Sequence, residues 1–177
     1  RLSPWVSLAV ILILLLTARS IPGTLIALSS VGVSICWLIG LMGLMESPLT
    51  LVSSSLPVLL VALGSAYSIH VLTQILSRLD HTDGARDEAI PDAIHYVAPP
   101  VLVAGLTTAL AFLSFLVMDI APMRTFGLWM AGGTLLAVFL ALTLVPAACM
   151  LFPLKARAGG RAPLWATRSL EWLAGTV

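Results

Sequence analysis

Long stretches almost free of charge dominate this sequence and limit what it can fold into. A helix needs roughly 20 apolar residues to cross the hydrocarbon core of a bilayer. In lipid a helix satisfies its backbone polar groups within one segment. We therefore predict an all-α fold, a polytopic bundle of five transmembrane helices at about residues 2–17, 21–45, 49–72, 97–118 and 123–152.

Composition and charge exclude several other classes. Of the 177 residues 59% are hydrophobic and only 10% are charged, whereas a soluble domain carries about 25% charged residues. The net charge of +1 comes without a basic cluster, which argues against nucleic-acid binding. No phosphate loop, metal-spaced histidine pair or nucleophile elbow is found, so we expect no enzyme activity, metal or cofactor. Cys36 and Cys149 lie in apolar runs and are interpreted as small buried hydrophobic residues.

The connections between the apolar stretches predict the topology. Those at residues 18–20, 46–48 and 119–122 are short, which makes successive helices antiparallel neighbours. The longer polar stretch at residues 73–96 carries five acidic residues and two arginines. We interpret this loop as a solvated helical hairpin on the membrane surface without a chemical role.

Lysine and arginine near helix ends are retained on the cytoplasmic side of a membrane, and this rule predicts the orientation. It places the loop 73–96 and the tail 155–177 in the cytoplasm, leaving only Arg1 and Arg124 on the other side. We therefore predict a multi-pass protein of the inner (plasma) membrane. Residues 1–154 would form the bundle, and residues 155–177 a basic linker and surface helix.

Prolines mark points where the helices should bend or begin. The ring removes a backbone donor, so within a helix it produces a kink, whereas at the first position it is tolerated. We expect a kink at Pro57, a helix start at Pro99 and Pro100, and a bend or interfacial end at Pro146.

Polar side chains are concentrated in the third apolar stretch. Tyr67 and His70 are three residues apart, and Gly64 lies one turn earlier on the same predicted face. A threonine of the fourth stretch can turn toward them, which predicts a polar seam of Ser65, Tyr67, His70, Thr107 and Thr108.

Two interpretations of this seam stay open. His70 and Tyr67 could relay protons or ions, because histidine changes charge near neutral pH. Alternatively the hydroxyls bond to backbone carbonyls, while Gly64 and Gly105 allow close helix packing. Packing is the commoner role for such residues. None of the eight acidic residues lies in the core of a stretch, so these helices by themselves lack the carboxylate of a proton pump.

Four runs in a fixed order resemble the resistance-nodulation-division (RND) superfamily. They are GSAYSIHVL at 64–72, the polar loop 73–96, APPVLVAGLTTALAFLSFL at 98–116, and IAPMRTFGLWMAGGTLLAVFLALTLVPA at 120–147. The last run resembles the family's helix with an Arg-x-Phe-Gly start and a Leu-x-Pro end. The residues that match it are Arg124, Phe126, Gly127, Leu144 and Pro146. The nearest resemblance is to MMPL lipid exporters and their hopanoid-transporting and sterol-sensing relatives.

This resemblance implies that the five stretches are helices two to six of a twelve-helix permease built from two pseudo-symmetric halves. The sequence is then an excised part, and residues 155–177 lead toward the second half. The implied partners are the bilayer, a hydrophobic or lipid substrate and that second half. Superfamily members are variously monomers, dimers and trimers, so a homo-oligomer is one option.

One position departs from the family pattern. Many members carry a Gly-x-Asp-Tyr core whose Asp relays protons; Gly64 and Tyr67 match it, but Ala66 occupies the Asp position. Coupling could then lie in the second half, pass to Tyr67 and His70, or be lost. The resemblance implies an exporter driven by the proton motive force, and the alternative is a lipid-sensing or sterol-sensing module without transport.

Overall fold

The computed structural model describes residues 21–48, 50–81 and 86–152 of the chain. This part contains four long α-helices, each long and apolar enough to cross a membrane. They are α1 (Ile21–Leu44), α2 (Leu56–His81), α3 (Arg86–Leu113) and α4 (Ala121–Leu151), with short 3₁₀ turns at Ser53–Ser55 and Ser114–Val117. The predicted all-α transmembrane fold is confirmed, with four membrane-length helices in the described part instead of five. The first predicted helix, 2–17, and the tail 155–177 lie outside the described residues.

The stretch 73–96, interpreted from the sequence as a helical hairpin on the membrane surface, is helical in its described parts, but these parts are the ends of the long membrane helices. α2 continues to His81, and α3 begins at Arg86 rather than at residue 97. Leu79 and Ile90 are buried in these extensions, so apolar packing between the two helices continues past the long apolar runs. The hydropathy pattern marks only the apolar runs and misses such amphipathic helix ends.

Charged and aromatic side chains contact each other across these extended ends. The guanidinium of Arg78 on α2 lies 2.6 Å from the carboxylate of Asp92 on α3 and 5.5 Å from the centre of the Tyr96 ring. Asp87 and Glu88 lie in the first turn of α3, where negative charge interacts favourably with the helix dipole. The ion pair and the cation–π contact therefore join α2 and α3 beyond the apolar core.

Three local predictions from the sequence are wrong. Pro57 is the second residue of α2 and so lies at a helix start, not at a kink. Pro99 and Pro100 lie inside α3, because the polar residues before them are helical and move the start of the helix upstream. Cys149 is buried as predicted, but Cys36 is exposed because its side of α1 faces away from the other described helices.

α4 is the central helix of the described part. It packs against α1, α2 and α3, and α2 also contacts all three of the others. Within the described ranges α1 and α3 do not contact each other. The bundle is therefore a four-helix arrangement with the α2–α4 pair in the middle and with α1 and α3 on opposite sides of that pair.

The interhelical contacts form two apolar clusters toward the two ends of the bundle. One lies near the α2–α3 connection and includes Leu72, Ile75, Ile90 and Val145. The other lies near the α3–α4 connection, and its buried members are Leu38, Met42, Leu56, Leu60, Phe126, Trp129, Met130 and Ala137. α4 contributes to both clusters and thereby links the two ends of the bundle.

The α3–α4 connection depends on close approach at Gly127. A Cβ atom at this position would lie 2.5 Å from the carbonyl oxygen of Phe112 and 2.7 Å from Cβ of Phe115. The neighbouring Phe126 ring stacks on Phe115 and meets Phe112 edge-on, with ring centres 6.1 Å apart in both pairs. Backbone and aromatic rings leave no room here for a larger residue.

We expect Gly127→Ala to destabilise the protein by about 1–3 kcal/mol, because the added methyl group overpacks a contact with backbone. Gly132→Ala in the same helix is the matched control, since nothing lies within 4 Å of a Cβ there. Helix propensity predicts a neutral or stabilising effect of up to about 1 kcal/mol for the control. Thermal unfolding in detergent measures both, and equal effects would contradict the tight contact at Gly127.

Candidate functional site

One hydroxyl pair joins two helices in the middle of the predicted polar seam. The Tyr67 hydroxyl on α2 donates a hydrogen bond to Thr108 Oγ1 on α3, with 3.4 Å between the oxygens. This is long for an O–H···O bond, which usually measures about 2.7–2.8 Å. The Thr108 hydroxyl itself donates to the carbonyl of Ala104 at 2.8 Å. The structure thus brings Tyr67 and Thr108 together through a weak contact.

The other hydroxyls of the predicted seam bond within their own helices. Ser65 donates to the carbonyl of Ala62 at 3.0 Å. Thr107 donates to the carbonyls of Val103 and Ala104 and lies on an exposed part of α3. Hydroxyls that bond to the preceding turn are already satisfied, so these two residues do not extend the contact between Tyr67 and Thr108.

Tyr67 and His70 differ in their exposure. Tyr67 is 6% exposed, whereas His70 lies on the exposed side of α2. A spacing of three residues places two side chains about 60° apart around a helix axis, and the boundary of the packed surface falls between them. His70 instead shares the exposed side with Leu59, Ala62 and Ala66, at intervals of three and four residues. We name these four residues the outer face of α2.

The two predicted packing glycines lie at helix contacts. A Cβ at Gly64 would be 3.1 Å from Cγ2 of Val31 on α1 and 3.6 Å from Cβ of Ala137 on α4. A Cβ at Gly105 would collide with the side chain of Val138 on α4. Both glycines therefore lie where neighbouring helices approach closely, next to the polar residues of α2 and α3.

The residues that resemble the family motif have structural partners. Arg124 at the start of α4 donates from Nε to the carbonyl of Met118 and from a terminal nitrogen to Asp119, 3.2 Å away. These bonds tie the start of α4 to the turn before it. Pro146 is buried within α4, which continues to Leu151.

Two serine hydroxyls are buried and have no hydrogen-bond partner among the described residues, those of Ser30 on α1 and Ser68 on α2. Ser68 is one of the polar residues that interrupt the apolar run 58–72, and such residues indicate a protein-facing helix surface. Sequence reasoning missed Ser30, because nothing in the sequence around it distinguishes it from the serines nearby.

Comparisons with known proteins find similar sequences. The sequence matches the MMPL family over residues 2–173. It is 34% identical to the hopanoid transporter HpnN of Rhodopseudomonas palustris (strain TIE-1) over 76% of this chain and 15% of that protein. It is 27% identical to a membrane protein of Methanocaldococcus jannaschii over 79% of this chain and 36% of that protein. The chain thus aligns with only a minor part of the length of either relative.

We expect the hydroxyl contact of Tyr67 to be energetically small. In a double-mutant cycle of Tyr67→Phe and Thr108→Val, the coupling energy should be about 0.6 kcal/mol, the mean for hydrogen bonds between membrane helices. A cycle of Tyr67→Phe with Thr107→Val is the matched control and should give no coupling, because Thr107 bonds only within α3. Unfolding in detergent–SDS mixtures measures both cycles. Coupling of several kcal/mol in the first would indicate a buried polar network instead.

Proposed function

The chain belongs to the MMPL family, and we propose that it forms one membrane half of an RND-type exporter of lipids or other hydrophobic molecules. The observation that carries this proposal is the family match over residues 2–173. The match to a hopanoid transporter over 76% of the chain supports a hydrophobic substrate. The second half of the permease is proposed to pack beside this bundle.

The proposed orientation places the α2–α3 connection in the cytoplasm of a plasma membrane protein. Arg78 and Arg86 lie at this end of the bundle, and the positive-inside rule favours that side. Among the described residues Arg124 is the one arginine or lysine at the opposite end. The bias of two arginines against one supports the proposed orientation.

The proton motive force is the proposed driving force, with His70 as the proton-relaying group in this half. The outer face of α2 also carries Ala66, at the position where many superfamily members have the relay Asp. His70 lies one turn further along this face, and its side chain is exposed. Of the four residues on this face only His70 has an ionisable side chain. In this arrangement His70 faces the second half, and Tyr67 acts mainly in packing.

Sensing of sterol-like lipids without transport is the second candidate function. The observation that favours it is Ala66, because an apolar residue at this position removes the carboxylate that couples proton movement to conformational change. A sensing module would bind lipid and change its conformation without an imposed pH gradient. Transport measurements therefore discriminate the two functions.

In the complete protein reconstituted in liposomes, we expect His70→Ala to lower transport of a hopanoid or related lipid driven by a pH gradient by at least about tenfold. Alanine cannot carry a proton, so it cannot replace an ionisable group that relays protons within the membrane. His95→Ala is the matched control, because His95 is also exposed but lies in the polar first part of α3. It should leave transport unchanged.

Two other results would contradict parts of the proposal. Transport that persists in His70→Ala and still requires the pH gradient would locate the coupling group in the second half. Lipid binding without gradient-dependent transport in the unsubstituted protein would overturn the exporter and favour the sensing module. Both measurements use the same vesicles with and without the imposed gradient.

A further inference from the structure

Two consecutive prolines inside α3 leave one backbone carbonyl without its helix donor. In an α-helix a carbonyl accepts a hydrogen bond from the N–H four residues later, and in a 3₁₀ turn from the N–H three residues later. For Tyr96 these two residues are Pro100 and Pro99, and both lie inside α3. Proline has no backbone N–H, so the Tyr96 carbonyl can accept neither bond.

The Tyr96 carbonyl lies beside α2. It belongs to a line of residues that follow one another at intervals of four along α3: Tyr96, Pro100, Ala104 and Thr108. Both ends of this line contact α2, since the Tyr96 ring meets the guanidinium of Arg78 and the Thr108 hydroxyl meets that of Tyr67. Pro100 and Ala104 lie between these contacts and are exposed. A helix carbonyl points toward the C-terminus, so the Tyr96 oxygen lies next to Pro100.

Gln74 lies on the side of α2 that faces this line. It comes seven residues after Tyr67 and four before Arg78, and both of those residues contact α3. A spacing of seven turns a side chain by only about 20° around the helix axis. Because α2 and α3 are antiparallel, the contact of Arg78 with Tyr96 places Gln74 opposite Pro100. Gln74 is half-buried, and its carboxamide forms no hydrogen bond with another described residue.

Polar side chains continue from Gln74 in both directions along α2. His70 lies one turn deeper and Ser77 lies one turn nearer to the α2–α3 connection, and both are exposed. The same register places His70 opposite Ala104, whose small side chain leaves space between the helices. We name the space bordered by these residues the α2–α3 groove; its members are His70, Gln74 and Ser77 on α2 and Tyr96, Pro100 and Ala104 on α3. Tyr67 and Thr108 touch at its deeper end.

We propose that the α2–α3 groove binds a chain of water molecules that reaches His70 from the α2–α3 connection. This inference rests on the proposed role of His70, because the water gives protons access to that side chain. An unpaired carbonyl or carboxamide is costly in hydrocarbon, whereas one water can bond to the Tyr96 carbonyl and the Gln74 carboxamide together. His70 is eight residues from Arg78, so the path is about 12 Å long.

Thiol labelling of the complete protein in membrane vesicles tests this path. All native cysteines, Cys36 and Cys149 among them, are replaced, and single cysteines are introduced in the groove. The probe is a membrane-impermeant, positively charged methanethiosulfonate, added from one side or the other. It reacts with the thiolate, which forms where water reaches the sulfur. Ser77→Cys identifies the side on which the groove opens, and Gln74→Cys and His70→Cys should react from that same side.

Leu102→Cys is the matched control for the thiol at position 70. Leu102 is 52% exposed, but it lies about 120° around α3 from Tyr96 and therefore outside the groove. The register places it about 3 Å nearer to the α2–α3 connection than His70, so depth alone would favour labelling of the control. We expect the thiol at position 70 to react at least about tenfold faster than the thiol at position 102.

A pair of proline substitutions tests the part played by the Tyr96 carbonyl. Pro100→Ala supplies an N–H for this carbonyl and removes its need for water, so labelling at position 70 should fall by about fivefold. Pro99→Ala is the matched control, because its new N–H bonds to the carbonyl of His95, about 100° around the helix from Tyr96. It should leave the labelling rate unchanged.

Three results would overturn the proposal. One is equal labelling of the thiols at positions 70 and 102. Another is labelling at position 70 only from the side opposite to the one that labels position 77. The third is an equal effect of the two proline substitutions on the labelling rate.

Transport measurements separate a failure of this inference from a failure of the proposed function. Slow labelling at position 70, together with gradient-driven transport that His70→Ala abolishes, would overturn the water path and leave the exporter in place. Fast labelling at position 70, when the unsubstituted protein shows no gradient-driven transport, would support the water path and overturn the exporter.

Discussion

The need to satisfy backbone hydrogen bonds without water determines most of this architecture. In a bilayer an unpaired amide or carbonyl costs several kcal/mol, so each long apolar stretch must be helical throughout its span. Serine and threonine hydroxyls follow the same rule: Ser34, Thr134 and Thr143 each donate to a carbonyl four residues earlier in their own helix. Few serine and threonine hydroxyls therefore remain for hydrogen bonds between helices.

The helices are therefore held together mainly by close packing at small residues. Lipid tails are as apolar as leucine, so burial alone does not favour contact between helices. Gly64, Gly105 and Gly127 lie at close approaches, and α4 takes part in all three. The central place of α4 follows from this distribution. The open glycines of α1 and Gly132 of α4 are the places where the described helices have no such neighbour.

α2 has two sides with different consequences for function. Its packed side holds Tyr67 and the buried Ser68, and the hydroxyl of Tyr67 reaches α3 only through a 3.4 Å contact. Its outer face holds Ala66 and His70, which are available to a partner helix outside the described bundle. A group that changes charge is tolerated in a membrane protein where water or another protein surface meets it, which suits His70 better than a residue on the packed side.

The sequence by itself determined the class of structure: apolar stretches of bilayer length specify membrane helices, and short connections specify antiparallel neighbours. The pairing of Tyr67 with Thr108 rather than Thr107, and the separation of His70 from Tyr67, were decided only by the tertiary structure. The physical reason is that leucine suits lipid and protein surfaces equally, so periodicity does not reveal which side of a membrane helix is packed. The continuation of α2 to His81 and the start of α3 at Arg86 were likewise evident only in the tertiary structure, where Leu79 and Ile90 are buried in one apolar cluster. The hydropathy pattern marks only the long apolar runs and misses amphipathic helix ends of this kind.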